Sequence, residues 1–282
     1  MKKINEDSLL PPLKEKWRGL LQALAGRESL LAGCSGGTDS SFLLYAAANA
    51  LPGRVLAVTA DHPLMKRSDL LSARETTQTL GVPWQALPMD VLGAPEIAQN
   101  TPDRCYFCKR MIFSALRELA EEKGLVCIAD GSNADDAGEF RPGKRAALEL
   151  GVWQPLFEAG LNKGEIRQLA RAAGLANWNR PASGCLATRF PYHARLTPEA
   201  LCAVEKGEAL LAEAGFAAAR LRHHGLICRI EVPKEQLPRL AKSAHGLIPP
   251  LRQLGFTYIC ADLEGFKSGS MDAELNRKGV VL

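Results

Sequence analysis

The sequence predicts an α/β protein, with a parallel β-sheet covered by helices on both faces and a smaller α+β domain after it. Three observations predict it. Short apolar, β-rich runs alternate with segments of helical period through the first two thirds of the 282 residues. A glycine-rich junction, Gly33-Cys34-Ser35-Gly36-Gly37, joins one such run to a helix. Beyond about residue 180 the pattern changes to a short strand pair flanked by helices.

The strand runs are Leu30 to Ala32, Val55 to Thr59, Val82 to Leu87 and Leu125 to Ala129. Helical patterns lie between them at about Ser40 to Ala50, Ser68 to Leu80 and Met111 to Glu122. Strands separated by helices pair in parallel, and ligands then sit at the C-terminal strand ends. A further helix runs from about Lys163 to Ala173 and ends at Gly174. Ala176 to Pro181 reads as irregular, so the expected domains are 1–180 and 181–282. In the second, Pro198 to Ala214 reads as helix, Ala219 to His224 and Ile227 to Val232 as paired strands, Lys234 to Ala241 as helix and Tyr258 to Ala261 as strand.

An apolar fraction of 46% and a charged fraction of 23% are those of an ordinary globular chain. The first residues carry no apolar leader and no stretch reaches membrane-spanning length, so a cytoplasmic location without membrane contact is expected. The formal charge of +4 is too small to imply nucleic acid as a partner. Eight cysteines in such a chain point to buried thiols, metal ligation or catalysis.

Leu30 to Ser41 reads as a strand, a loop and a helix N-terminus, an arrangement that lets backbone amides approach an anion. It lacks the lysine of a Walker A loop. Ser35-Gly36-Gly37-Thr38-Asp39-Ser40 resembles the signature of PP-loop ATP-pyrophosphatases, which cleave ATP between its α and β phosphates. The resemblance implies a Rossmann-like fold for the first domain. It also implies that Ser35, Gly36, Gly37, Asp39 and Ser40 hold the pyrophosphate end of ATP, with Mg2+ screening the charge. Asp39 is left between two roles, partner of the helix N-terminus or metal-facing carboxylate. Ile128 to Asp136 follows another apolar strand and resembles the second loop of the same superfamily, placing Gly131 and Asn133 near the nucleotide.

Cys105-Tyr106-Phe107-Cys108 sets two thiols at a spacing that suits one metal or cluster. No second C-x-x-C and no nearby His pair completes a zinc site. Arg104, Lys109 and Arg110 are expected to favour the thiolates. Pro181-Ala182-Ser183-Gly184-Cys185-Leu186-Ala187-Thr188-Arg189 supplies a third thiol in a loop of small residues. Cys34, Cys127, Cys202, Cys228 and Cys260 read as packing residues.

These features together resemble the LarE family, ATP-dependent sulfur insertases that help to build the nickel-pincer nucleotide cofactor. Besides the phosphate loop and the Cys185 loop, the resemblance covers Asp130 to Gly143, Arg220-Leu221-Arg222-His223-His224, Arg229-Ile230-Glu231 and Asp262 to Met271. It implies that the carboxylate of a pyridinium biscarboxylate mononucleotide is adenylated and then converted to a thiocarboxylate. Family members with only the counterpart of Cys185 sacrifice that sulfur and end as dehydroalanine. The added Cys105 and Cys108 resemble the branch in which three cysteines hold a 4Fe-4S cluster with one open iron, a catalytic sulfide carrier.

Within this reading Cys185 is central to sulfur transfer and Arg189 orients the acyl-adenylate. Arg220 and Arg222, at i and i+2 of a strand, share a face that could grip the substrate phosphate. His223 and His224 read as surface or structural residues. Glu231 and Asp262 stay open between metal binding and an ordinary surface role. A homo-oligomer is expected. The rival readings are a PP-loop tRNA thiolase, sacrificial donation from Cys185, and a nucleotide-binding iron–sulfur redox sensor.

Overall fold

The computed structural model describes residues 2–138, 142–181, 183–267 and 269–272. In chain order its elements are α1 (Pro11–Ala25), β1 (Leu30–Gly33), α2 (Thr38–Ala50), β2 (Val55–Asp61), α3 (Arg67–Leu80), β3 (Trp84–Pro88), α4 (Pro95–Ala98) and α5 (Arg104–Glu122). These are followed by β4 (Cys127–Ala129), α6 (Pro142–Glu149), α7 (Pro155–Glu158), α8 (Lys163–Ala173), α9 (Pro198–Glu213), β5 (Arg220–His224), β6 (Ile227–Glu231), α10 (Leu237–Lys242), α11 (Ala244–Gln253) and β7 (Tyr258–Ala261). The chain divides into two compact units, Met1–Asp90 with Cys105–Ser183, and Val91–Arg104 with Gly184–Leu282.

The first unit is built on a four-stranded parallel sheet of order β3-β2-β1-β4. Alternation along β1 sorts its side chains between the two faces. Leu30 and Ala32 join a core with Trp17, Phe42, Tyr45, Ile166 and Leu169, so α1, α2 and α8 cover that face. Leu31 points to the other, among Phe113, Leu116, Leu119 and Ile128, so α5 covers it. Helix α2 is buried along most of its length, and its Phe42 and Tyr45 pack with Trp17 of α1, ring centroids 5.8–6.2 Å apart. Burying a side chain such as Phe42 contributes about 1.5–3 kcal/mol.

Strand order reverses beside β1. Its neighbour on one side is β2 and on the other β4, so the loops leaving β1 and β4 flank a switch point, where open α/β sheets take their ligands.

Two differences from the sequence reading matter. Helix α5 begins at Arg104, seven residues before the expected Met111, because Tyr106, Phe113, Leu116 and Ala120 form one buried stripe. The C-x-x-C pair therefore lies within the first two helical turns. Residues 91–104 also belong to the second unit. The Asn100 side chain donates to the Phe190 and Pro191 carbonyls at 3.2 and 2.8 Å. The Leu196 and His193 amides donate to Ala98 and Asn100 at 2.7 and 3.1 Å.

The second unit holds a mixed three-stranded sheet, β5-β6-β7, with β5 antiparallel and β7 parallel to β6. Leu221, Ile230, Leu201, Val204 and Leu251 are buried in it. Helix α11, which the sequence reading did not mark, runs through Pro249 and Pro250; Leu247 and Leu251, one turn apart, bury its apolar side. No helix among the described residues is long and apolar enough to cross a membrane.

Candidate active site

The loop after β1 closes on itself before α2 begins. Gly36 adopts φ +74° and Gly37 is the extended N-cap of α2. Ser40 Oγ accepts from the Ser35 amide at 3.1 Å and lies 3.1 Å from Ser35 Oγ. The first amides of a helix have no intrahelical partner, so this loop presents N–H donors and the positive end of the α2 dipole. Ser35, Gly36, Gly37, Asp39 and Ser40 thus lie together in one loop and helix turn.

Asp39 is not the capping side chain of α2. Its Oδ2 accepts from Asn133 Nδ2 at 2.8 Å, a bond from the loop after β1 to the loop after β4. Burial pushes the Asp39 carboxyl up, and the Asn133 bond opposes that shift. Asn133 is itself buried and fixed, its Oδ1 accepting from the Asp135 amide at 3.0 Å. Gly131 is required by packing: a Cβ there would stand 2.8 Å from the Ser40 nitrogen. The two loops therefore meet at the switch point, with Gly131 and Asn133 against the start of α2.

Several residues at this site carry no spacing signal in the sequence. Thr59 Oγ1 donates to the Cys34 carbonyl at 2.7 Å and receives Trp84 Nε1 at 3.0 Å, tying β2 and β3 to the loop. Ser72 of α3 and Asn177 and Arg180 beyond α8 reach the same loop, and Asp69 of α3 pairs with Arg180.

His62 follows β2, where Arg67 pairs with Asp61 and donates to the His62 carbonyl at 3.0 Å. Burial first, then the charges of Arg67 and Lys109, push its imidazole down to about 4 from the ordinary 6.5, against the pull of Asp61. The folded state therefore binds fewer protons than the unfolded chain between those values. Stability from His62 is full above pH 6.5, falls as pH drops toward 4 and is constant below. The loss amounts to about 3 kcal/mol. Urea unfolding at pH 7, 5.5 and 4.5 should show this slope in the native protein and its removal in His62→Gln; equal slopes would contradict the assignment.

Cys105 and Cys108 stand one helical turn apart at the start of α5, both half-buried. Two of the cations expected to favour their thiolates have other partners. Arg104 stacks over the Tyr192 ring at 4.7 Å, while the Lys109 ammonium lies 4.7 Å from the Phe113 ring and 3.6 Å from Asp130.

In the second unit, Cys185 precedes a single 3-10 turn, Leu186–Arg189. Arg189, expected to orient the acyl-adenylate, is enclosed within this unit. It is 1% exposed, paired with Glu208 at 2.9 Å, and donates to the Gly184 and Cys185 carbonyls at 2.8 and 3.2 Å and to Thr188 Oγ1 at 2.7 Å. Its donors shape the Cys185 turn from inside. Arg222 is likewise taken from the expected phosphate grip, being buried against Glu231 Oε2 at 2.6 Å and the Thr188 carbonyl at 3.0 Å. Arg220 stays half-buried, over the Phe266 ring at 5.3 Å. Glu231 is fully buried between Arg222, Arg229 and Ser270, and Asp262 pairs with Arg229 at 3.0 Å. Both acids thus belong to an ion-pair network, and neither is an ordinary surface carboxylate. His223 is structural, stacked on Phe190 at 4.8 Å.

Of the thiols read as packing residues, Cys34 and Cys228 are buried, and burial raises both, Cys228 to about 12. Cys202 and Cys260 are exposed, so that reading fails for them. None of the eight cysteines is in a disulfide. Among the described residues no three His, Cys, Asp or Glu side chains are gathered as a metal site. The half-buried Cys105 and Cys108 on one helix face present two soft sulfur donors.

No family model matches the chain. It is 35% identical over 267 residues to the pyridinium-3,5-bisthiocarboxylic acid mononucleotide synthase of Lactiplantibacillus plantarum, covering 94% of this chain and 96% of that protein. The chain belongs to the LarE family. An uncharacterised protein of Synechocystis sp. is 33% identical over 267 residues, 94% of this chain and 100% of its own. One subunit of the glutamine-hydrolysing GMP synthase of Methanothermobacter thermautotrophicus is 24% identical over 164 residues, 55% of this chain and 53% of that protein. In this LarE-family chain the expected fold class holds: a Rossmann-type parallel sheet with a smaller mixed sheet.

Proposed function

We propose that this protein is an ATP-dependent sulfur transferase that adenylates the carboxylate of a pyridinium biscarboxylate mononucleotide and converts it to a thiocarboxylate. The observation that carries the reading is the switch-point loop of Ser35 to Ser40, closed by the Asp39–Asn133 bond, in a chain similar along nearly its whole length to a synthase of the bisthiocarboxylate. The loop amides take the β and γ phosphates of ATP. Asp39, oriented by Asn133, supplies the carboxylate for Mg2+. Substrate carboxylate attacks the α phosphorus, and the bond to the pyrophosphate oxygen breaks. A sulfur nucleophile then adds to the acyl carbon, AMP leaves, and the proton of the hydrosulfide goes to solvent.

Cys105, Cys108 and Cys185 would hold a 4Fe-4S cluster. When bound, it supplies one iron without a protein ligand and hence a place for an exchangeable sulfide. Arg189 keeps the Cys185 turn in shape, and Arg220 offers a cation to the substrate phosphate.

The first half-reaction can be measured alone. ATP with the biscarboxylate mononucleotide is expected to give carboxylate-dependent pyrophosphate exchange without any sulfur source. Exchange that ignores the carboxylate, or none with fully folded protein, would remove the adenylation step.

A further inference from the structure

The Gly36 carbonyl accepts three hydrogen bonds, from Ser72 Oγ at 3.0 Å, Asn177 Nδ2 at 3.2 Å and Arg180 Nη1 at 3.2 Å. A trans peptide is planar, with its C=O and the following N–H on opposite sides. Holding the Gly36 oxygen toward these donors therefore fixes the direction of the Gly37 amide away from them. That amide is one of the loop donors at the N-terminus of α2. A loop of glycines costs more entropy to order than any other sequence, so an unrestrained Gly36-Gly37 peptide would sample other orientations.

Asn177 does more than touch Gly36. Its Nδ2 also donates to Ser41 Oγ at 2.8 Å, and its carbonyl accepts from Thr38 Oγ1 at 2.7 Å. It thus bridges the loop and the first two turns of α2. Its Oδ1 is buried and has no donor among the described residues, so the side chain is held through its N–H groups alone. Arg180 is anchored in turn by Asp69 at 2.8 Å, in the first turn of α3. These contacts are not needed to end α8, which Gly174 closes at φ +76° three residues earlier.

We infer that Asn177 and Arg180 are positioning residues of the nucleotide step, which set the Gly36 peptide so that the phosphate-facing amides are in place before ATP arrives. The inference rests on the reading that this loop takes the pyrophosphate end of ATP. In it neither side chain contacts the nucleotide.

The test compares Asn177→Ala, Arg180→Ala and the milder Ser72→Ala with Lys16→Ala. The last is a control for stitching alone, since Lys16 also ties distant segments of this unit, to Glu165 and the Gly160 carbonyl at 2.8 Å each, but not the loop. Calorimetric affinities for MgATP and for inorganic pyrophosphate are read beside Tm and the KM and kcat of carboxylate-dependent pyrophosphate release. Asn177→Ala and Arg180→Ala are each expected to weaken both ligands about tenfold, the size of one lost hydrogen bond to a charged or preorganised group. Ser72→Ala should do so less, and KM for ATP should rise with it. Lys16→Ala should lower Tm and leave both affinities unchanged. Arg180→Lys, which can keep the Asp69 pair but not the fork to Gly36, should bind MgATP between wild type and Arg180→Ala. Wild-type affinity in folded Asn177→Ala, Arg180→Ala and Ser72→Ala, whatever their Tm, would overturn the inference. Failure of the wild type to bind either ligand would instead remove the nucleotide reading on which it stands.

Discussion

Gly36→Ala is expected to abolish carboxylate-dependent pyrophosphate release, by more than about a hundredfold, while the chain still folds. The residue sits at φ +74°, where a side chain costs about 1–2 kcal/mol. The larger effect is steric. A Cβ at this position would run into the Asp69 carbonyl, so the loop must lift away from α3 and release the bonds on its own carbonyl. The control is Gly53→Ala, at φ +73° with nothing within 4 Å of the added carbon. It carries the same backbone cost without displacing the loop and should lose stability only. Calorimetric unfolding with pyrophosphate-release rates for both variants separates the two effects. Comparable activity in both would show that the loop geometry is not what the reaction uses.

Cys105→Ala, Cys108→Ala and Cys185→Ala are each expected to eliminate repeated thiocarboxylate formation and to leave pyrophosphate exchange near wild type. The phosphate loop shares no residue with these thiols. Iron content after anaerobic purification should fall together with sulfur transfer in all three. Cys202→Ala and Cys260→Ala make the sharper controls because both thiols are exposed, so any general reactivity of surface sulfur would appear there. Loss of transfer in Cys185→Ala alone, with a protein mass lowered by one hydrogen sulfide after a single turnover, would favour sacrificial donation.

Much of the first unit was legible in the sequence because its signals are local. Leu30 to Ser41 announces a strand, an anion-binding loop and a helix within twelve residues, and the structure forms them there. The apolar runs at Val55 and Leu125 pair with that strand in the parallel order expected of alternating elements. Asn177 and Arg180 were not legible. Their partner is a backbone carbonyl 141 and 144 residues away, and no spacing encodes such a contact. The early start of α5 was hidden because Cys105 to Cys108 read as a metal-spacing motif, and only the buried stripe from Tyr106 to Ala120 shows that the helix already includes it.

The burial of Arg222 and Arg189 was hidden for a different reason. Alternation correctly sets Arg220 and Arg222 on one face of β5, but a face is not a destination. Arg222 is opposed across the sheet by Arg229 and reaches the buried Glu231, and a charge with so close a partner inside the protein stays with it. Arg189 follows the same logic with Glu208. Likewise the spacing of Cys202 within α9 indicated a helix without revealing which side of it meets solvent.

The central claim, that ATP drives sulfur insertion into a carboxylate, is tested most directly by anaerobic turnover of the biscarboxylate mononucleotide with ATP, Mg2+ and a sulfide source. AMP, pyrophosphate and thiocarboxylate are counted against protein in the same reaction. The account expects one AMP and one pyrophosphate for each thiocarboxylate formed, continuing well beyond one product per chain. Thiocarboxylate formed without AMP, or ATP consumed to AMP and pyrophosphate with the carboxylate left unchanged, would contradict it.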